Sequence, residues 1–143
     1  MSDTNGYKKK FVQAAIKAMD RAYCPYSKYR VGAVAIGASG RAYSGSNVEN
    51  ASFGLTVCAE RTAIFKAITS GEKSIKAVYV AARMPNPCGA CRQVMAEFMR
   101  PEDRIVLISA AENGQVKRVQ GKSLRSLLPH AFSPEGAGLT TAA

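Results

Sequence analysis

From Tyr7 to Tyr23 apolar residues recur at helical spacing. Phe11, Ala14, Ala15, Ala18, Met19 and Ala22 share a face, while Lys8, Lys9, Lys17 and Asp20 fall largely elsewhere. Pro25 is expected to break this helix. Val31–Ile36 is a short apolar run, Gly37–Gly40 carries turn residues, and Arg41–Ser46 alternates, which predicts a hairpin. Residues Asn47–Val57 show no clear period and read as a loop. Cys58–Ser70 predicts a second helix, apolar through Ala59, Ala63, Phe65, Ala67 and Ile68 and therefore buried, with Gly71 at its end. Lys76–Ala82 predicts a strand. Met84-Pro85-Asn86-Pro87 is a loop stiffened by two prolines. Cys88–Met99 predicts a third helix, closed by Pro101. Arg104–Ala110 predicts a buried strand, Asn113-Gly114 a hairpin turn, and Gln115–Gln120 an edge strand antiparallel to it. Ser123–Leu128 completes the set as a short helix.

The order α, β, β, α, β, α, β, β, α predicts a three-layer α/β/α sandwich around a mixed five-stranded sheet. A length of 143 residues suits one domain, taken here as residues 1–135, with 136–143 as a flexible C-terminal tail. No apolar run approaches the length of a bilayer span, and Met1–Lys10 lacks the apolar segment of a secretory signal, so the expected location is the cytoplasm.

The formal charge of +10 raises the question of nucleic acid. The basic residues are scattered, however. Only Lys8-Lys9-Lys10 forms a run, and aromatics do not interleave with it as on a single-strand binding surface. A solvated basic surface is the favoured reading, and no nucleic-acid partner is expected.

The chemistry lies in the cysteines. Cys88-Gly89-Ala90-Cys91 places two thiols on the first turn of a helix, where they can share one ion. A redox pair has the same spacing. Cys58 also opens a helix, and helix N-termini favour thiolate. If the two N-termini converge, three sulfurs meet. A structural zinc site needs a fourth protein ligand, for which only Cys24 and His130 are available; three ligands and an open position mark a catalytic zinc. Glu60, two residues after Cys58, can reach such an open position as a proton carrier, although acids are common in first turns for the helix dipole alone. Three thiolates bring Zn²⁺ to a net charge of −1, which opposes activation of water. The two helix N-termini offset part of that, and Arg61 can reduce it further by donating to a thiolate; the alternative is a plain surface arginine.

Cys58-Ala59-Glu60 followed by Pro87-Cys88-Gly89-Ala90-Cys91 resembles the zinc deaminase signature. Ala22–Ser27, Val31-Gly32-Ala33, Asn47–Ala51, Cys58–Ala63, Pro87–Gln93 and Leu127-Leu128-Pro129 ahead of Phe132 resemble, in order, the small homotetrameric cytidine deaminases, over roughly Phe11–Glu135. The resemblance implies a cytidine deaminase-like fold and hydrolysis of cytidine and 2′-deoxycytidine to the uridine nucleosides and ammonia in pyrimidine salvage. It implies that Cys58, Cys88 and Cys91 hold Zn²⁺, that Glu60 moves protons between water, ring N3 and the leaving ammonia, and that the Ala59 backbone faces the base. Asn47 and Glu49 are then expected on the ribose hydroxyls. Phe132 is expected to stack on a base in a neighbouring subunit's site. Tyr29 stands where phenylalanine is more usual and is expected to keep the stacking. Phe53 replaces a common tyrosine, and Asn86 a serine or threonine. The same zinc chemistry would also serve a deaminase of another aminated heterocycle or of nucleic-acid cytosine. A structural zinc module is the rival outside catalysis, and Glu60 argues against it.

Overall fold

The structure is a computed structural model that describes residues 6–139. The elements run α1 (Lys9–Met19), β1 (Gly32–Gly37), β2 (Ala42–Ser46), α2 (Ala59–Thr69), β3 (Ile75–Ala82), α3 (Gly89–Phe98), β4 (Arg104–Ala110), β5 (Val116–Ser123) and α4 (Leu124–Leu127). The five strands form one sheet in the order β2-β1-β3-β4-β5. β3 and β4 are parallel, joined by the α3 crossover; the other neighbours are antiparallel. The expected mixed sheet is therefore present.

Alternation along the strands sorts the core into two layers. Val34, Ile36, Tyr79, Ala81, Val106 and Ile108 face α1, which contributes Val12, Ala15 and Met19. Ala33, Ala35, Val78, Val80, Ile105 and Leu107 face the other way, onto Ala63, Ile64 and Ala67 of α2 and Met95 of α3. The small alanines of β1 bring α2 close. Glycine at position 45 of β2 brings it closer: a Cβ there would lie 2.9 Å from the Ala59 carbonyl oxygen and nearer still to the Ala63 nitrogen. This close approach seats the N-terminal half of α2 against the sheet.

Several boundaries differ from the periodicity. The first helix ends at Met19, well before Pro25, because tertiary pairing takes over: Tyr23 N donates to Asn47 O and Glu49 N to Tyr23 O. The proline is not the stop. The loop expected over 47–57 carries a bridge between Val48 and Val57 and a single 3-10 turn at Phe53–Leu55. β5 extends to Ser123 along the whole of β4, so the last helix starts one residue later than its apolar pattern suggests. α2 is not buried all round, since Phe65 is exposed. Of the tail expected over 136–143, residues 136–139 belong to a turn that starts at Pro134, where Leu139 N donates to Pro134 O at 2.7 Å, and 140–143 lie outside the described residues.

Candidate metal centre and its cavity

α2 and α3 begin alike. Cys58 and Cys88 are their N-caps, both with extended backbone angles, and neither side chain caps its own helix. Each cysteine carbonyl accepts the first helical hydrogen bond, Cys58 O from Thr62 N at 3.0 Å and Cys88 O from Arg92 N at 3.1 Å. The sulfurs are thus left free, and both helices aim their N-termini at one point beyond the end of β3. Cys91, one turn into α3, is fully buried and completes the group. The three Sγ atoms all lie within 4.8 Å of one another, with Cys58–Cys88 at 3.9 Å and Cys88–Cys91 at 3.6 Å. Thiolates about 2.3 Å from a tetrahedral zinc sit close to 3.8 Å apart, so this sulfur set fits Zn²⁺. Neither Cys24 nor His130 joins it; among the described residues the cluster has no fourth protein ligand. That count leaves one position open, as a catalytic zinc requires.

The surroundings favour thiolate at Cys58. A hydrogen bond from the Cys91 thiol is the main cause; the Arg61 guanidinium, whose Nη2 lies 3.3 Å from Cys58 Sγ, adds to it against the opposing effect of burial, and the Cys58 pKa falls to about 5. Cys91 moves upward, because it holds the shared proton and is buried. Arg61 therefore stands where it can draw electron density from a metal ligand. Its Nε is buried and has no hydrogen-bond partner among the described residues.

Glu60 is 4% exposed. Burial pushes its carboxyl up to about 7, its own backbone N–H pulls against that rise, and the charge at Cys58 adds to it. A carboxyl poised near neutrality beside a metal position can both take and return a proton.

Cys58, Cys88 and Glu60 line a cavity of about 380 Å³, with Cys91 buried behind them. Asn47, Glu49 and Tyr29 stand on one wall, and Met84, Pro85 and Asn86 on another. Asn47 holds the entry to β1, accepting from Val31 N at 2.9 Å and donating to Tyr29 O at 2.8 Å. Glu49 accepts from Tyr26 N at 2.9 Å and from Ser27 N and Oγ; the Ser27 hydroxyl, chiefly, holds its carboxyl below the usual range. Both side chains thus brace the loop while bordering the cavity. Ala59 is fully buried and does not line it.

Phe132 is not in this cavity. It is 63% exposed and borders a separate hollow of about 540 Å³ with Arg100, Arg125 and His130. Cys24 is half-buried and apart. Phe53 is exposed and packs edge-on against Tyr26, with ring centroids 5.5 Å apart. One supporting residue escapes the sequence reading. Arg92 donates to Pro87 O at 2.7 Å and to Leu127 O at 2.6 Å, pinning the entry to α3. Its place directly after Cys91 is the only sequence signal for it.

Residues 6–118 match the family described as the cytidine and deoxycytidylate deaminase zinc-binding region. The chain is 42% identical over 127 residues to a cytidine deaminase of Halalkalibacterium halodurans, covering 87% of this chain and 92% of that one. It is also 42% identical over 130 residues to a probable cytidine deaminase of Dictyostelium discoideum, covering 88% and 84%. Among solved structures, the cytidine deaminase of Burkholderia pseudomallei superposes with a TM-score of 0.79 at 39% identity, covering 88% of this chain and 99% of that one. The cytidine deaminase of Mycobacterium tuberculosis gives 0.72 at 34% identity, covering 87% and 95%.

Proposed function

Because this chain belongs to the zinc-binding cytidine and deoxycytidylate deaminase family, we propose that it hydrolyses cytidine and 2′-deoxycytidine to uridine and 2′-deoxyuridine with release of ammonia. The observation that carries this reading is the meeting of the Cys58, Cys88 and Cys91 sulfurs beside a buried Glu60, with Cys58, Cys88 and Glu60 lining a cavity of about 380 Å³. Zn²⁺ is the cofactor: Cys58, Cys88 and Cys91 would hold it, and it would supply the Lewis acidity that makes a water at the open position more acidic.

The remaining steps belong to the chain. Glu60 takes a proton from the attacking water and delivers it to ring N3. It then carries the proton of the new C4 hydroxyl to the exocyclic amine as the C4–N bond breaks, so that ammonia leaves neutral and the C4 carbonyl of the uridine ring remains. Arg61, through its bond to Cys58 Sγ, lowers electron donation to the metal and favours acidification of the water. The Ala59 backbone, in the first turn of α2 beside Glu60, faces the base in this reading. Asn47 and Glu49 orient the ribose: Asn47 offers donor and acceptor, and Glu49 an ionised acceptor for a hydroxyl. The Tyr29 ring stacks on the base, and Phe132 of a neighbouring subunit in a homotetramer closes the site, which fits its exposure outside the chain's own cavity. The setting is cytoplasmic pyrimidine salvage.

An ultraviolet assay of the zinc-loaded protein against cytidine, deoxycytidine, CMP and a cytosine oligonucleotide tests the proposal. The Glu49 carboxylate repels a phosphate at the sugar end of the cavity, so both nucleosides should be turned over well and the phosphorylated substrates poorly. Equal turnover of the oligonucleotide would overturn the nucleoside reading. Alanine at Cys58, Cys88 or Cys91 should abolish zinc binding, whereas Cys24→Ser should retain the metal in full.

A further inference from the structure

We propose that the Tyr29 hydroxyl is a positioning group that ties the Met84–Asn86 segment in place as a fixed wall of the substrate cavity, a role separate from any contact its ring makes with a base. The proposal rests on the nucleoside reading of that cavity. It starts from a property of the segment itself. Met84-Pro85-Asn86-Pro87 joins the end of β3 to Cys88, and its two prolines have no N–H to donate. Such a stretch cannot be held by a backbone ladder, so side chains from elsewhere must fix it.

Three such side chains do so. Ser109 Oγ donates to Arg83 O at 3.1 Å, just before the segment. Arg92 Nε donates to Pro87 O at 2.7 Å, at its end. Between them stands Tyr29. Its hydroxyl donates to Met84 O at 2.8 Å and accepts from Met84 N at 2.9 Å, so one phenol satisfies both main-chain groups of one residue. The Arg83 guanidinium lies 5.3 Å from the centroid of the same ring and helps hold it. Tyr29 is in turn fixed from behind: its N donates to Ser27 Oγ at 3.0 Å, and its carbonyl accepts from Asn47 Nδ2 at 2.8 Å. The hydroxyl therefore links the Asn47 and Glu49 wall of the cavity to the Met84 and Asn86 wall. Phenylalanine at position 29 would keep the ring and lose the link.

The tether acts on binding rather than on the metal. Arg92 anchors Pro87 independently, through its second bond to Leu127 O, so the approach to Cys88 is insulated from what happens at Met84. A loosened wall must be ordered when substrate enters, which raises KM more than it lowers kcat.

The test compares wild type with Tyr29→Phe as zinc-loaded, ligand-free proteins by amide hydrogen exchange, then by kinetics with cytidine. In the variant the Met84 amide should exchange about tenfold faster or more, as expected for loss of the Tyr29 hydroxyl, its only acceptor among the described residues. Core amides such as Val80 and Ile108 should be unchanged, which separates lost tethering from general destabilisation. Zinc content should stay at the wild-type level, and KM for cytidine should rise roughly three- to tenfold with a smaller change in kcat. Unchanged Met84 exchange would overturn the tether. Faster Met84 exchange with an unmoved KM would overturn its role in the cavity. A wild-type protein inert towards cytidine would instead sink the nucleoside reading, while the exchange measurement would still decide the tether.

Discussion

Glu60 shows how little chemistry a residue needs to change role. In the first turn of an exposed helix it would complement the dipole. Here it is buried beside three sulfurs, and its carboxyl is lifted to about 7. Glu60→Gln removes the proposed proton carrier while keeping shape and the three cysteines. It should bind zinc normally and lose about 10²–10⁴ in kcat; wild-type turnover by such a variant would place the proton path elsewhere. The metal ligands and Glu60 are legible in the sequence because helix N-termini are, and the two N-caps then fix where the side chains start. Tyr29 is legible only in part. Its ring can be read from the resemblance, but the bond from its hydroxyl to Met84 spans 55 positions and has no local signature. Arg92 is hidden for the same reason.

Among the elements, α2 carries most of the site, and its seat depends on β2. Gly45→Ala would push a methyl group into the backbone of Ala59 and Ala63. Overpacking of this kind costs about 1–3 kcal/mol, and because Cys58 and Glu60 ride on the same helix the variant should also hold zinc less tightly. Gly54→Ala, whose new carbon meets nothing within 4 Å, serves as the control and should melt like wild type. At the far end of the hairpin, Glu72 accepts from Ser39 N and Oγ and from Tyr43 OH, and the Ser39 hydroxyl above all holds its carboxyl below 4.5. A depressed carboxylate stabilises the fold above its unfolded pKa and stops doing so as the pH falls through the folded value. Melting curves from about pH 7 to pH 3 should therefore fall more steeply for wild type than for Glu72→Gln; equal slopes would show that the turn is indifferent to that charge. Strand and helix types follow from the hydrophobic period, whereas their ends do not. α1 stops at Met19 and β5 runs to Ser123 because partners elsewhere in the chain, Asn47 and Arg104, compete for the same backbone.

At the scale of the whole molecule, the isolated chain leaves Phe132 exposed beside a hollow that is not its own substrate cavity. Sites shared between subunits would explain that placement. A Phe132→Ala chain should then show KM raised about tenfold by loss of stacking, and mixing it with a Glu60→Ala chain should restore activity at low cytidine above the Glu60→Ala parent. Light scattering from an active monomer would exclude sharing. The site is also scattered along the chain: Cys58 and Cys88 are 30 residues apart, and a strand and a crossover must be laid down between them before their sulfurs meet. This fixes when zinc can act during folding. An ion that needs both helix starts in place finds no complete site in the early collapsed chain, and binding after the rate-limiting barrier is the expectation. Zinc should thus slow unfolding without hastening folding. Stopped-flow traces with zinc and with chelator should share one folding limb and part only on the unfolding limb, and the metal would then set how long each copy of the enzyme lasts rather than how fast it is made.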